Sequence, residues 1–173
     1  MKRTLFVLTT ILFFALALTS CKKDETNNNS NNNDGGGSSA GYVDLGLPSG
    51  TKWSSVNATE KSNVFYTYEE AVSTFGDKLP TKEQFEELRD NCIWAQLDDG
   101  SFKVTGTNGN SVVFPAVGYC DCDGNVCCVG SGGGCWSSTS DSGHAWCLLF
   151  DSIEVGVYSN TTCNGRSVRL VKK

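Results

Sequence analysis

The residues of this 173-residue chain with the most chemistry in them are nine cysteines and a single histidine. Eight of the cysteines, Cys92, Cys120, Cys122, Cys127, Cys128, Cys135, Cys147 and Cys163, lie in the second half of the chain, and seven of those fall within residues 120–163. Thiols at that density can pair as disulfides, the first reading for an exported domain. Cys127 and Cys128 are adjacent and Cys120-x-Cys122 is too tight for an ordinary bridge between strands, so a complete set of bridges is disfavoured. Thiolates also bind zinc, but Cys-x-Cys followed five residues later by Cys-Cys is not a common finger or ribbon spacing, and no metal site is expected. His144 has Asp141 and Cys147 as its nearest acidic and thiol neighbours in sequence. A nucleophilic Cys/His pair needs hydrogen-bond reach that sequence does not supply, so beside Gly143 a surface histidine is expected. Asp121-Cys122-Asp123-Gly124-Asn125 places oxygens at alternate positions, as the start of a calcium loop does. Gly132 stands where the closing bidentate Glu belongs, and the expectation is a solvated turn.

The elements that must position these residues read as α+β. Tyr42 to Pro48 alternate apolar and small residues into a Pro-Ser-Gly turn, and Lys52 to Val56 continue as a second extended piece. Thr67-Tyr68-Glu69-Glu70 has the form of a capping box, with Ala71, Val72 and Phe75 behind it on one face of a short helix ending near Gly76. Thr81-Lys82-Glu83-Gln84 repeats the device ahead of Phe85, Leu88 and Cys92. Later the period changes to two, and strands are expected over residues 102–104, 112–114, 144–150, 153–158 and 167–171. Along 144–150, alternation puts Ala145, Cys147 and Leu149 on one face and Trp146, Leu148 and Phe150 on the other, which is expected to point inward. Helices first and strands later argue one α+β domain with an antiparallel sheet over residues 41–173, large enough for one core.

The residues before it do different work. Lys2 and Arg3 precede an apolar run over residues 5–18, about fourteen residues where a bilayer span needs roughly twenty, so residues 1–20 read as an export signal rather than a retained helix. Leu18-Thr19-Ser20-Cys21 resembles a lipobox, which implies cleavage before Cys21 and lipidation of its thiol. Residues 22–40 contain no large apolar side chain and are rich in Asn, Gly and Ser; with Cys21 they form a flexible tether. Removing Lys2 and Arg3 takes the formal charge from −5 to −7, so nucleic acid is not an expected partner. Lys22-Lys23-Asp24-Glu25 resembles the charged signal that sends Bacteroidetes lipoproteins to the outer face of the outer membrane. A lipid anchor on Cys21 facing the cell exterior is therefore the expected location, and the membrane the expected partner.

The segments YVDLGLPSGTKW, LPTKEQFEEL, FKVTGTNGNSVVFPAVGY, CWSSTS and GRSVRLV, in that order, resemble the FISUMP-type major paralogous domain of surface lipoproteins. That family is similar to the C-type-lectin-like fold shared with sulfatase-modifying-factor domains, so the resemblance implies two short helices packed on antiparallel sheets. Glu-Pro-Asn, Gln-Pro-Asp and Trp-Asn-Asp motifs of calcium-dependent lectins are absent, and fold alone does not imply sugar binding. Sulfatase-modifying-factor enzymes are about twice as long and use a specific cysteine pair for copper whose surrounding motifs are missing here. No cofactor and no catalytic activity are expected. In the family, many positions matching Cys120, Cys127, Cys128, Cys135, Cys147 and Cys163 look to be tyrosines, one adenine-to-guanine change away in the codon. That clustering resembles the work of diversity-generating retroelements, which vary loops of lectin-like surface proteins; ordinary drift accounts for the same residues without a mechanism.

The expected function is non-catalytic recognition of a protein or glycan by a monomeric domain, through C-terminal loops rich in aromatic and adaptable polar residues. The ligand-binding residues expected are Cys120, Cys122, Asp123, Asn125, Cys127, Cys128, Asp141, Ser142, His144, Cys147, Tyr158, Asn160 and Cys163. A structural accessory subunit of a surface fibre or complex is the alternative, and a sulfatase-modifying-factor-like enzyme the weaker one.

Overall fold

In a computed structural model, both helices begin where their capping boxes place them. Residues 41–60 and 64–173 are described; the export signal, Cys21 and the tether lie outside the described residues. Helix α1, Tyr68–Phe75, starts with the Thr67 hydroxyl accepting from the Glu70 amide, while the Glu70 carboxylate accepts from the Thr67 N–H at 2.8 Å. Thr81 and Gln84 do the same for α2, Lys82–Asn91. Each box satisfies two backbone donors that a helix start leaves without partners. Between the helices, Gly76 takes a positive φ of 52° to open a short 3-10 turn over Gly76–Lys78.

The described residues hold eleven strands in four sheets, with every ladder antiparallel. The longest strands are β8 (Gly132–Asp141), β9 (His144–Asp151) and β10 (Val155–Thr161), which form the central sheet in the order β10-β9-β8. Leu148, Phe150 and Cys135 point into a core with Phe85 and Leu88 of α2 and with Trp53. Ala145, Cys147 and Trp136 point into a second core with Ala71 and Phe75 of α1. The two helices therefore cover opposite faces of one sheet.

The single inward face expected for residues 144–150 is corrected by this arrangement. Leu148 and Phe150 are buried as expected, but Ala145 and Cys147 on the other face are fully buried too. A strand covered on both sides carries a continuous apolar run, which is why Ala-Trp-Cys-Leu-Leu-Phe has so little polarity. Trp146, expected inside, is half-buried, with the Lys82 ammonium 3.8 Å from its ring centre. At the start of β8, a Cβ on Gly134 would meet the Leu149 side chain at 2.6 Å and the Arg166 side chain at 2.9 Å, so only glycine admits that close approach.

Around this centre, β1 (Tyr42–Asp44) and β11 (Val171–Lys172) both pair with β2 (Lys52–Ser54), bringing the two ends of the domain into one sheet. A third sheet joins β3 (Ile93–Gln96), β4 (Phe102–Thr105) and β5 (Ser111–Phe114). Its Trp94, Phe102 and Phe114 rings meet Phe150 at 5.5–6.2 Å. The strand expected over 167–171 is mostly not one. Ser167 makes an isolated parallel bridge to Cys135, and only Val171–Lys172 joins a ladder. Arg169 in that segment is fully buried and donates to two carbonyls, Nη1 to Ser54 at 2.9 Å and Nη2 to Val113 at 2.6 Å. Burial pulls its pKa down to about 10.

Candidate recognition site

The loops rich in cysteine are organised around Tyr119. Strands β6 (Tyr119–Cys120) and β7 (Val126–Cys127) form a hairpin in which Tyr119 faces Cys127. Its turn closes on itself: Asp121 Oδ1 accepts from the amides of Asp123 and Asn125, both at 2.9 Å, and Oδ2 accepts from Asn125 Nδ2 at 3.0 Å. The Asn125 side chain, more than any other partner, holds the Asp121 carboxyl below its ordinary pKa. The Asp121 oxygens that resembled the start of a calcium loop are therefore taken up by the exposed turn itself.

The hairpin is fixed to the segment after β10 in three ways. Cys120 and Gly165 exchange two backbone hydrogen bonds, each 3.0 Å. Cys122 and Cys163 form a disulfide, with their Cα atoms 4.9 Å apart. The buried Arg166 guanidinium lies 4.3 Å from the centre of the Tyr119 ring. A planar cation under a phenol face is a favourable contact when shielded from water, so Arg166 supports the hairpin from beneath. Cys120 Sγ packs where a Cβ on Gly165 would stand, which leaves that position to glycine.

Tyr119 also walls a cleft of about 210 Å³ whose other sides are Cys128, the Asp151–Glu154 turn and Tyr158, over a floor of Gly132 and Gly133. Asp151 Oδ1 shapes that turn by accepting from the amides of Ile153 at 2.7 Å and Glu154 at 3.0 Å, and it leaves Ile153 89 % exposed. Residue 153, expected to open a strand, is therefore the tip of a turn. The Glu154 carboxylate pushes the Tyr158 phenol up, and the Cys128 thiol does the same to Tyr119. Both phenols stay protonated at neutral pH, each an exposed or partly exposed ring with a polar tip. Between residues 104 and 165 the chain has no Lys or Arg, while Asp121, Asp123, Asp141, Asp151 and Glu154 fall in that span.

The structure divides the residues expected to bind a ligand. Cys120, Cys122, Asp123, Asn125, Cys127, Cys128 and Cys163 gather at the hairpin, and Tyr158 joins them across the cleft. Asp141, Ser142 and His144 lie at the opposite end of the β8–β9 ladder, whose cleft end pairs Gly132 with Asp151. Seven residue steps along β9, from His144 to Asp151, separate the two ends, roughly 23 Å at strand rise, and β8 takes up its two extra residues in an irregular stretch between Trp136 and Ser140. The segment after β10 connects them, since Thr162 Oγ1 donates to the Gly143 carbonyl at 3.5 Å.

Four of the expected residues do other work. Cys147 is buried in the second core and is not a surface residue. His144 and Cys147 stand three positions apart on one strand and so point to opposite faces, which removes the Cys/His pair. Asn160 Oδ1 accepts from Asn164 Nδ2 at 2.6 Å and from the Thr161 amide, so its side chain shapes the loop. Cys122 and Cys163 are bonded to each other, and in that state their sulfurs brace the hairpin. Sequence reasoning did not pick out Tyr119, Glu154 or Arg166. A buried arginine inside an apparent strand motif carries no local signal, and Tyr119 gains its role only when the hairpin folds against residues 165–166.

Comparison of the chain with family models, with curated proteins and with solved structures finds no match.

Proposed function

We propose that this chain is a lipid-anchored surface lipoprotein whose FISUMP-type, C-type-lectin-like domain recognises a protein or glycan without catalysing a reaction. The observation that carries this reading is the cleft between the β6–β7 hairpin and the Asp151–Glu154 turn. Loops from two different sheets meet there, and two tyrosines flank a glycine floor. Tyrosine offers contact area at low entropic cost together with a polar tip, which suits recognition of a sugar ring or a peptide. The Asp151 and Glu154 carboxylates in the cleft lining favour a neutral or cationic ligand over an anionic one. None of the cleft-lining residues belongs to β1, β2 or β11, the sheet next to the expected tether.

The test is binding of the full-length protein to a glycan array and to a panel of neutral and cationic peptides. Tyr119→Ala and Tyr158→Ala are expected to abolish any signal, and Tyr158→Ala, at a ring 38 % exposed, is expected to lower the unfolding midpoint less than Tyr119→Ala does. Variants that bind as well as the parent overturn the reading. A second reading, an accessory subunit docking by strand addition, draws on β3: it is an edge strand with Ile93 72 % exposed, which an incoming strand would cover.

A further inference from the structure

We propose that Cys127 and Cys128 form a thiol–disulfide exchange site, a neighbouring dithiol whose substrate is a small-molecule disulfide. This inference stands without the recognition reading. Successive residues of an extended strand point to opposite faces. Register places Cys127 on the face of Tyr119, so Cys128 in a regular strand would point away. Instead Cys128 adopts a φ of 64°, which returns its side chain to that same face. Its Sγ lies 3.5 Å from Cys127 Sγ and 3.4 Å from Tyr119 Oη.

A left-handed conformation is costly for a residue with a Cβ, and among the described residues only Cys128 and Ser142 adopt one without being glycine. Ser142 sits in a two-residue hairpin turn beside Gly143, where positive φ is the rule. Cys128 instead precedes the turn over residues 129–131 and closes it through its carbonyl, a place where positive φ is not required. The conformation is held by its carbonyl, which accepts from the amides of Ser131 at 3.1 Å and Gly132 at 3.0 Å. The strain brings two thiols together.

Reach distinguishes this pair from the other unbonded cysteines. Cys127 and Cys128 are exposed, Cys92 and Cys120 are half-buried, and Cys135 and Cys147 are buried. In the exchange, the thiolate of one residue attacks a small disulfide RSSR, forming a mixed disulfide and releasing one thiolate RS⁻. The neighbouring thiol gives its proton to solvent and attacks the mixed disulfide, releasing the second RS⁻. The protein loses two protons and two electrons, and the small disulfide takes them up to become two thiols. Adjacent Cα atoms are held about 3.8 Å apart by a trans peptide, below the roughly 4.4–6.8 Å of relaxed disulfides. The ring is therefore strained and readily reopened by thiols, unlike the Cys122–Cys163 bond, whose Cα separation of 4.9 Å is ordinary. Closing it draws the sulfurs from 3.5 Å to about 2 Å and pulls Cys128 away from Tyr119.

The experiment incubates the full chain with oxidised glutathione at graded ratios to reduced glutathione, traps free thiols with iodoacetamide and maps the peptides by mass. The expected result is loss of alkylation at Cys127 and Cys128 together while Cys120 is still alkylated, with the mass of the whole chain lower by two hydrogens and restored by reduced glutathione. Cys128→Gly, which accepts the positive φ without strain, is expected to keep the Cys122–Cys163 bond and the parent's unfolding midpoint, and to hold Cys127 as a lasting glutathione adduct. Cys127→Ser is expected to mirror this on Cys128. Separate stable adducts on both residues of the unmodified chain overturn the proposal, as does a bond from either one to Cys120.

Discussion

The Trp136 indole N–H donates to the Tyr66 carbonyl across 2.8 Å, with both residues buried, and this bond ties strand β8 of the central sheet to the chain just before α1. The same carbonyl accepts from the Arg166 amide at 3.0 Å, so helix start, central sheet and cleft support meet at one oxygen. Replacing Trp136 by Phe removes the donor and part of a buried ring, and is expected to cost about 2–3 kcal/mol. Urea unfolding of the variant measures it; a loss below 0.5 kcal/mol, the size of an ordinary surface change, contradicts this role.

The Cys122–Cys163 bond spans 41 residues of sequence. Closing a loop of that length restricts the unfolded chain by about 4 kcal/mol on the chain-entropy account. The double variant Cys122→Ser, Cys163→Ser is expected to lose 2–4 kcal/mol. Parallel denaturation of the parent with and without reductant should give the same difference.

Alkali should weaken the fold in a traceable way. Burial pushes the Cys135 thiol from an ordinary 9.0 up to about 12. Above pH 9 the unfolded chain gives up this proton and the folded one keeps it, so the contribution is intact below pH 9 and declines as pH rises toward 12. Between pH 9 and 10 the parent is expected to lose about 1 kcal/mol more stability than Cys135→Ala, in which Arg169 is kept. Unfolding midpoints at the two pH values decide it, and equal pH dependence in parent and variant contradicts the assignment.

Lipid attachment is tested by location. Cys21→Ala is expected to shift the protein from the membrane fraction to the soluble fraction, and incorporation of labelled palmitate is expected to vanish with it. A variant that stays with the membrane contradicts lipidation at this residue.

Sequence alone determined the features that depend on neighbouring residues. Both capping boxes act within four residues of chain, and the strands near 102–104 and 112–114 follow from alternation, so all were legible. So was the α+β class, since it rests on the order of those elements. Three things belong to the tertiary structure. Cys147 became core because α1 covers the second face of β9, and nothing within the strand reports a layer contributed from elsewhere. The strand expected at 167–171 gave way to a buried segment because Arg169 takes its partners from Ser54 and Val113, 115 and 56 residues away. The pairing of Cys122 with Cys163, and of Cys127 with Cys128 against Tyr119, was decided by a disulfide across 41 residues and by one left-handed backbone angle. Spacing counts residues along a chain; which thiols meet depends on where folding turns them.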